Sequence, residues 1–203
     1  ESNIQTDNIT AKNDIDLTTT TSGKITVTND LITDTGYIRL DSAEDLVISN
    51  NIQAKGDVIL EAQNGISQTD GNIASTGKGN VLVTNNERND ISLKKLTTAD
   101  GNINITNNAL NANVILNDVV TSGSQGTITI GSQGNIEQTF DSTALISSGD
   151  ITLNAKGNVG KLEGEDVKFI KVSTDGNVGG SGQNFYVESP DKDLATGNIT
   201  ATD

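Results

Sequence analysis

One eight-residue phrase occurs twice in this chain. Gly79-Asn80-Val81-Leu82-Val83-Thr84-Asn85-Asn86 returns twenty-two residues later as Gly101-Asn102-Ile103-Asn104-Ile105-Thr106-Asn107-Asn108. Looser versions stand at Gly56-Asp57-Val58-Ile59-Leu60 and at Gly149-Asp150-Ile151-Thr152-Leu153. A period of about twenty residues marks a solenoid, in which each repeat buries its apolar side only by stacking on its neighbours.

Strand signals are short and frequent, and helical ones are nearly absent: no apolar stripe follows the i, i+3, i+4, i+7 spacing. Apolar-x-apolar triplets place their outer pair inward and the middle residue outward, as in a half-buried strand. The triplets fall into two interleaved series. One passes through Ile15, Ile38, Val58, Val81, Ile103, Ile128 and Ile151 in steps of 20 to 25 residues. The other passes through Ile25, Val47, Ile66 or Ile73, Ile91, Val114, Ile136 and Val159. Two registers sharing one period imply coils of two or three short strands, each stacked parallel on its counterpart in the next coil. The expected fold is all-β, a parallel β-helix of roughly nine coils of about 22 residues. At ~4.8 Å per coil the rod is on the order of 40 Å long. Residues 1–203 form a single segment of it.

Composition agrees with a thin aliphatic interior. Aromatic residues make up 2% of the chain, too few to fill the wide centre of a sandwich. Gly-Asn or Gly-Asp followed by Ile or Val occurs nine times, starting at Gly56, Gly71, Gly79, Gly101, Gly134, Gly149, Gly157, Gly176 and Gly197. Glycine is expected there for the positive φ of a tight corner, with Asn or Asp capping the turn. Asn85-Asn86 beneath Asn107-Asn108 is the best candidate for a hydrogen-bonded side-chain ladder. From 160 to 196 the pattern loosens, with an acidic turn at Leu162–Val167, the rings of Phe169, Phe185 and Tyr186, and a protruding loop at Pro190–Asp193. Ile199 then resumes the repeat. Ile4, Ile9 and Ile199 look like ordinary coil residues, so the chain is expected to be part of something longer or a subunit that stacks end to end.

The formal net charge of −14 argues against nucleic acid or an anionic membrane as partner. No apolar run reaches the ~18 residues of a membrane helix. Without histidine or cysteine the chain lacks the commonest nucleophile–base pairs and transition-metal ligands. Lys94-Lys95 is the only basic doublet and reads as a solvated turn. Asp14, Asp16, Asp41, Glu44 and Asp45 could serve a polysaccharide-cleaving helix, but Arg39 and Arg88 are the only arginines and no Trp offers a stacking platform. Glu163, Glu165 and Asp166 could collect a hard cation, although no EF-hand loop is present and Gly179-Gly180-Ser181-Gly182 lacks the Asp of a calcium nonapeptide. A threonine ice-binding array fails, because Asp16, Arg39, Ile59, Leu82, Asn104, Thr129 and Thr152 take the outward position. The sequons at Asn8, Asn104 and Asn198 follow from the coil pattern. No catalytic, cofactor or metal residue is assigned.

Gly149–Gly160 (Gly-Asp-Ile-Thr-Leu-Asn-Ala-Lys-Gly-Asn-Val-Gly) and Gly176–Ser189 resemble the repeats of filamentous haemagglutinin-like proteins, the large bacterial exoproteins of two-partner secretion and related giant adhesins. Gly65–Ile73 is similar to another of their repeats. The resemblance covers most of the chain, more tightly from Lys55 to Ser189. It implies a right-handed parallel β-helix shaft, secreted to a cell surface or extracellular matrix. The family's amino-terminal secretion domain is not within these residues, and its shaft repeats carry no functional residues to transfer.

The expectation is therefore a non-enzymatic structural shaft without cofactor, serving adhesion, matrix or cell contact. Its partners would be neighbouring coils of the same or an identical chain and a host-cell or matrix receptor. Two alternatives stand beside it. One is a filament subunit polymerising through open terminal coils. The other is a polysaccharide-binding or polysaccharide-degrading helix using acidic grooves and the Phe185-Tyr186 region.

Overall fold

An apolar-x-apolar triplet has one side to hide, and a chain made of such triplets can hide them all by winding round one narrow axis. The computed structural model describes residues 2–201, and they wind in this way through about nine turns of ~23 residues. Three strands make a coil. The first is β1 (Ile4–Thr6), β2 (Ile9–Ala11) and β3 (Ile15–Thr18); the second β4 (Ile25–Val27), β5 (Leu31–Thr33) and β6 (Ile38–Ser42). The third holds β7 (Asp45–Ile48), β8 (Ile52–Ala54) and β9 (Val58–Ala62), and the fourth β10 (Gly65–Gln68), β11 (Asn72–Ser75) and β12 (Val81–Asn85). Then come β13 (Ile91–Leu93), β14 (Lys95–Thr98) and β15 (Ile103–Asn107), followed by β16 (Val114–Leu116), β17 (Val120–Thr121) and β18 (Ile128–Ser132). The seventh coil is β19 (Ile136–Gln138), β20 (Leu145–Ser147) and β21 (Ile151–Ala155).

The eighth and ninth coils depart from this plan. In place of first-face strands they carry single bridging residues, Val159 over Ile136 and Phe185 over Val159. An antiparallel hairpin, β22 (Lys161–Glu163) with β23 (Asp166–Lys168), leaves the eighth coil before β24 (Ile170–Thr174) and β25 (Val178–Gly182). The ninth has β26 (Val187–Glu188) and β27 (Thr196–Ala201). Like strands of successive coils pair in parallel, giving a first sheet of seven strands and second and third sheets of nine.

Register follows the inward residues. On the third sheet Ile15, Ile38, Val58, Val81, Ile103, Ile128 and Ile151 stand in one column, as their spacing predicts. On the first sheet the column runs Ile25, Leu46, Ile66, Ile91, Val114, Ile136 and Val159. Leu46, not Val47, is the buried member; Val47 faces out beside Thr26 and Ser67. Ile73 belongs to the second sheet, in a column with Ile9, Leu31, Ile52, Leu96, Val120, Leu145 and Val172. Ile199 sits opposite Gly180 rather than Val178, because a bulge shifts the register of β27, and it is 45% exposed.

The corners are stitched by side-chain oxygens. Entering the third sheet, Asp57 Oδ1 accepts from the Asn80 amide N–H (2.7 Å), Asn80 Oδ1 from Asn102 N–H (2.9 Å) and Asn102 Oδ1 from Thr127 N–H (2.9 Å). The same link enters the first sheet from Asp90 through Asn113 and Asn135 to Asn158, and the second from Asn8 through Asp30 and Asn51 to Asn72. Each Asn or Asp thus satisfies a backbone donor one coil further on, where a turn would otherwise leave it facing solvent. Asn80→Ala should lower stability by about 1 kcal/mol, a fall in Tm of about 2–4 °C. Asn80→Asp keeps the acceptor but sets a second carboxylate where the Asn80 amide donates to Asp57 Oδ1 (3.4 Å), so it should also melt below wild type, and less so in high salt.

Glycine has a different reason to stand at these corners from the one its turns suggest. Of the nine Gly-Asn and Gly-Asp corners only Gly71 has a positive φ, at 79°. A Cβ on Gly79 would run into the backbone of Gly56, and one on Gly101 into that of Gly79. The coils touch backbone to backbone here, so a side chain has no room.

Candidate functional site

The residues singled out in the sequence do not converge. Asp14 Oδ1 accepts from Tyr37 N–H at a corner, and Asp16 Oδ1 accepts from the Thr18 hydroxyl. Arg39 crosses the outward face of the third sheet to Asp41 (2.8 Å) and Glu61 (2.9 Å), and the Glu61 hydrogen bond chiefly raises the guanidinium further above its ordinary pKa. These groups are half-exposed on the surface, so Arg39→Ala should cost about 1 kcal/mol or less, and the difference in Tm should shrink in high salt. Lys94 reaches Asp70 at 3.2 Å. Glu163 pairs with Lys161 at 2.8 Å across one residue of the hairpin, and among the described residues no three carboxylates gather as a metal site. The outward column Asp16, Arg39, Ile59, Leu82, Asn104, Thr129 and Thr152 is present as read, ending on Gly179.

The rings do share one region. Phe169 meets Tyr186 edge to face, centroids 6.5 Å apart at 85°, while Phe185 turns inward over Val159. Beside them the hairpin overhangs a hollow of about 430 Å³ walled by Glu137, Lys161, Glu163, Lys171, Glu188 and Phe169. Its charges neutralise one another: Lys161 lies 3.9 Å from Glu137, and Lys171 is 3.5 Å from Glu188 and donates to the Asp141 carbonyl (2.7 Å). Hydrogen bonding to Glu163 pushes Lys161 up, and the same bond pushes Glu163 down. Both shifts lead away from neutrality, opposite to what general acid–base work at neutral pH asks of a lysine or a glutamate.

A larger concavity of about 840 Å³ lies elsewhere, across the fifth to eighth coils where the third sheet turns toward the first. Its floor is the outward column Thr106, Gly131, Asn154 and Ser181, in register on β15, β18, β21 and β25. Its wall is a loop. Between β15 and β16 the chain takes six residues, 108–113, whereas the corresponding turns after β18 and β21 take three each, 133–135 and 156–158. The long turn therefore stands proud of the two that follow. It is held from within by Asn107, only 1% exposed, whose Nδ2 donates to the carbonyls of Asn89 (3.1 Å) and Asn113 (2.9 Å). Asn107 Oδ1 accepts from Ala109 N–H (3.1 Å) and from Asn85 Nδ2 (3.0 Å). The expected Asn ladder is thus formed, and Asn108 Nδ2 donates to Asn86 Oδ1 (3.3 Å) outside it.

Sequence reasoning missed this groove. The signal was available at Gly131, a glycine in mid-strand where the pattern asks for an outward polar side chain. Neither φ nor space requires glycine there: a Cβ would meet nothing within 4 Å. Its effect is to leave the floor hollow. Comparison with protein-family models, curated proteins and solved structures finds no match to this chain.

Proposed function

We propose that this chain is a structural shaft segment of an exported bacterial surface protein, stiff and non-enzymatic, with a role in adhesion, matrix or cell contact. The observation that carries this reading is where the polar chemistry goes. Corner carboxylates, amides and hydroxyls hydrogen-bond from coil to coil, and buried hydroxyls such as those of Thr98 and Ser122 close the corners. Such a chain resists bending and separation of its coils, which is what a shaft does. The similarity of its repeats to filamentous haemagglutinin-like shafts points the same way.

The test takes the intact gene product. Antibodies to these coils should label unpermeabilised cells, and electron microscopy of the purified protein should show a continuous rod. Labelling only after permeabilisation, or compact particles, would sink the proposal. Fibres with a boundary every ~40 Å would mean end-to-end subunits instead.

A further inference from the structure

The amide-lined groove over the fifth to eighth coils shares Asn107, Asn113 and Asn135 with the corner links, but much of its lining takes no part in them, and its chemistry is specific. Its lining contains amides, hydroxyls and backbone, with no carboxylate and no ring, and Lys156 is its single charge. Part of the lining pairs across coils, as Asn108 does with Asn86 and Ser181 with Asn154. Among the described residues the side chains of Thr106, Asn111, Gln133, Lys156 and Gln183 make no hydrogen bond, although all line this groove. An amide presents two donors and an acceptor, and repeated amides suit a ligand that does the same along its length.

We propose that this groove binds one extended, uncharged polysaccharide chain, laid along the helix axis with about one sugar unit per coil. Three features select that occupant. The coils advance ~4.8 Å each, close to the length of one sugar unit in an extended glycan, so the polar groups of Thr106, Asn154 and Ser181 and of Gln133, Lys156 and Gln183 stand at a spacing that successive units can meet. The floor's own backbone groups are paired in the β15–β18–β21–β25 ladder, so a peptide cannot add to it as a strand. With one lysine and no carboxylate the groove fits neither a polyanion nor a cation. Gly131 gives the glycan depth, and the loop 108–113 gives it one wall. This goes beyond the shaft reading and does not depend on it.

The test is an NMR titration of this chain, following the side-chain amides of Asn111, Gln133, Asn154 and Gln183. The probes are cellohexaose, laminarihexaose, maltohexaose and chitohexaose, with a heparin hexasaccharide and a Ser/Gly hexapeptide as counter-probes. At least one neutral hexasaccharide should shift these amides at millimolar concentration, with an affinity that does not change between low and high salt. Gly131→Leu should weaken binding at least about tenfold with a Tm close to that of wild type, since its Cβ enters open space on the groove floor. The double variant Gln133→Ala with Gln183→Ala should do the same by removing donors alone. The proposal is overturned if no neutral hexasaccharide shifts the amides, if both variants bind as wild type does, or if only the peptide or only heparin binds.

Discussion

Gly101→Ala is expected to destabilise this protein by about 3 kcal/mol, a fall in Tm of about 6–12 °C, while Gly131→Ala leaves it unchanged or slightly more stable. The two substitutions are chemically identical and lie in one sheet region, so the difference isolates the contact. At Gly101 the added methyl meets the carbonyl of Gly79 and lies 3.2 Å from the Asn80 Cα. Those atoms are backbone and cannot swing aside as a side-chain tip would. The whole corner would have to move, and with it the Asn80-to-Asn102 link and the bond from the Thr98 hydroxyl to the Gly101 carbonyl (2.6 Å). In a solenoid such a displacement is passed to the neighbouring coils. At Gly131 the methyl enters open space, and alanine restricts the unfolded chain, which is worth up to about 1 kcal/mol. Thermal melts of the two variants side by side decide it. Equal stabilities would mean that the coils do not meet backbone to backbone at this corner.

That same corner shows what can be read from residues alone. The third sheet was legible because its strands offer two inward aliphatics each, as in Val81-Leu82-Val83 and Ile103-Asn104-Ile105. The second sheet was not, because its strands read apolar-x-small: Leu31 with Thr33, Ile52 with Ala54, Leu96 with Thr98, Val120 with Ser122. The structure supplies the reason. Those small residues face inward at a tight corner, and several donate a hydroxyl to the carbonyl of the glycine that follows, as Thr33 does to Gly36 and Ser122 to Gly126. A search for paired large aliphatics passes over them. Val47 is hard to place for a related reason: Leu46-Val47-Ile48 is apolar throughout, so alternation gives no phase, and only the pairing of Ile25 with Leu46 sets it. The glycines were found but explained by φ, since close approach between residues more than twenty apart has no local signature. The wall of the groove has no local signature either, being made by a difference in turn length between coils, and only Gly131 on its floor gives a signal in the sequence.

The wall of that groove rests on one buried amide, and Asn107→Ala is expected to cost about 4 kcal/mol, or about 8–16 °C in Tm. Every hydrogen-bonding capacity of the Asn107 side chain is used: two donors to Asn89 and Asn113 and two acceptor positions to Ala109 and Asn85. Alanine would leave the Ala109 N–H without a partner in a corner with little access to water, and would take one donor each from the carbonyls of Asn89 and Asn113, which keep Asn85 Nδ2 and the Ile91 N–H. The half-buried corner residue Asn80 has solvent within reach to replace its bond, so its loss is several times smaller. Asn107→Asp separates the hydrogen-bonding role from size. It keeps the shape and the acceptors, but sets a carboxylate against the carbonyls of Asn89 and Asn113. Burial and those carbonyls should raise the new group's folded-state pKa above its unfolded value. The ionised form is then the one that opposes folding, so the variant's deficit relative to wild type should be small at acid pH and grow as pH rises through the raised pKa. Hydrogen exchange should show the turn 108–113 losing protection first in both variants, with β15 and β18 following only near the melt. An alanine variant that melts with wild type, and keeps that turn protected, would show that the overhang stands without the amide beneath it.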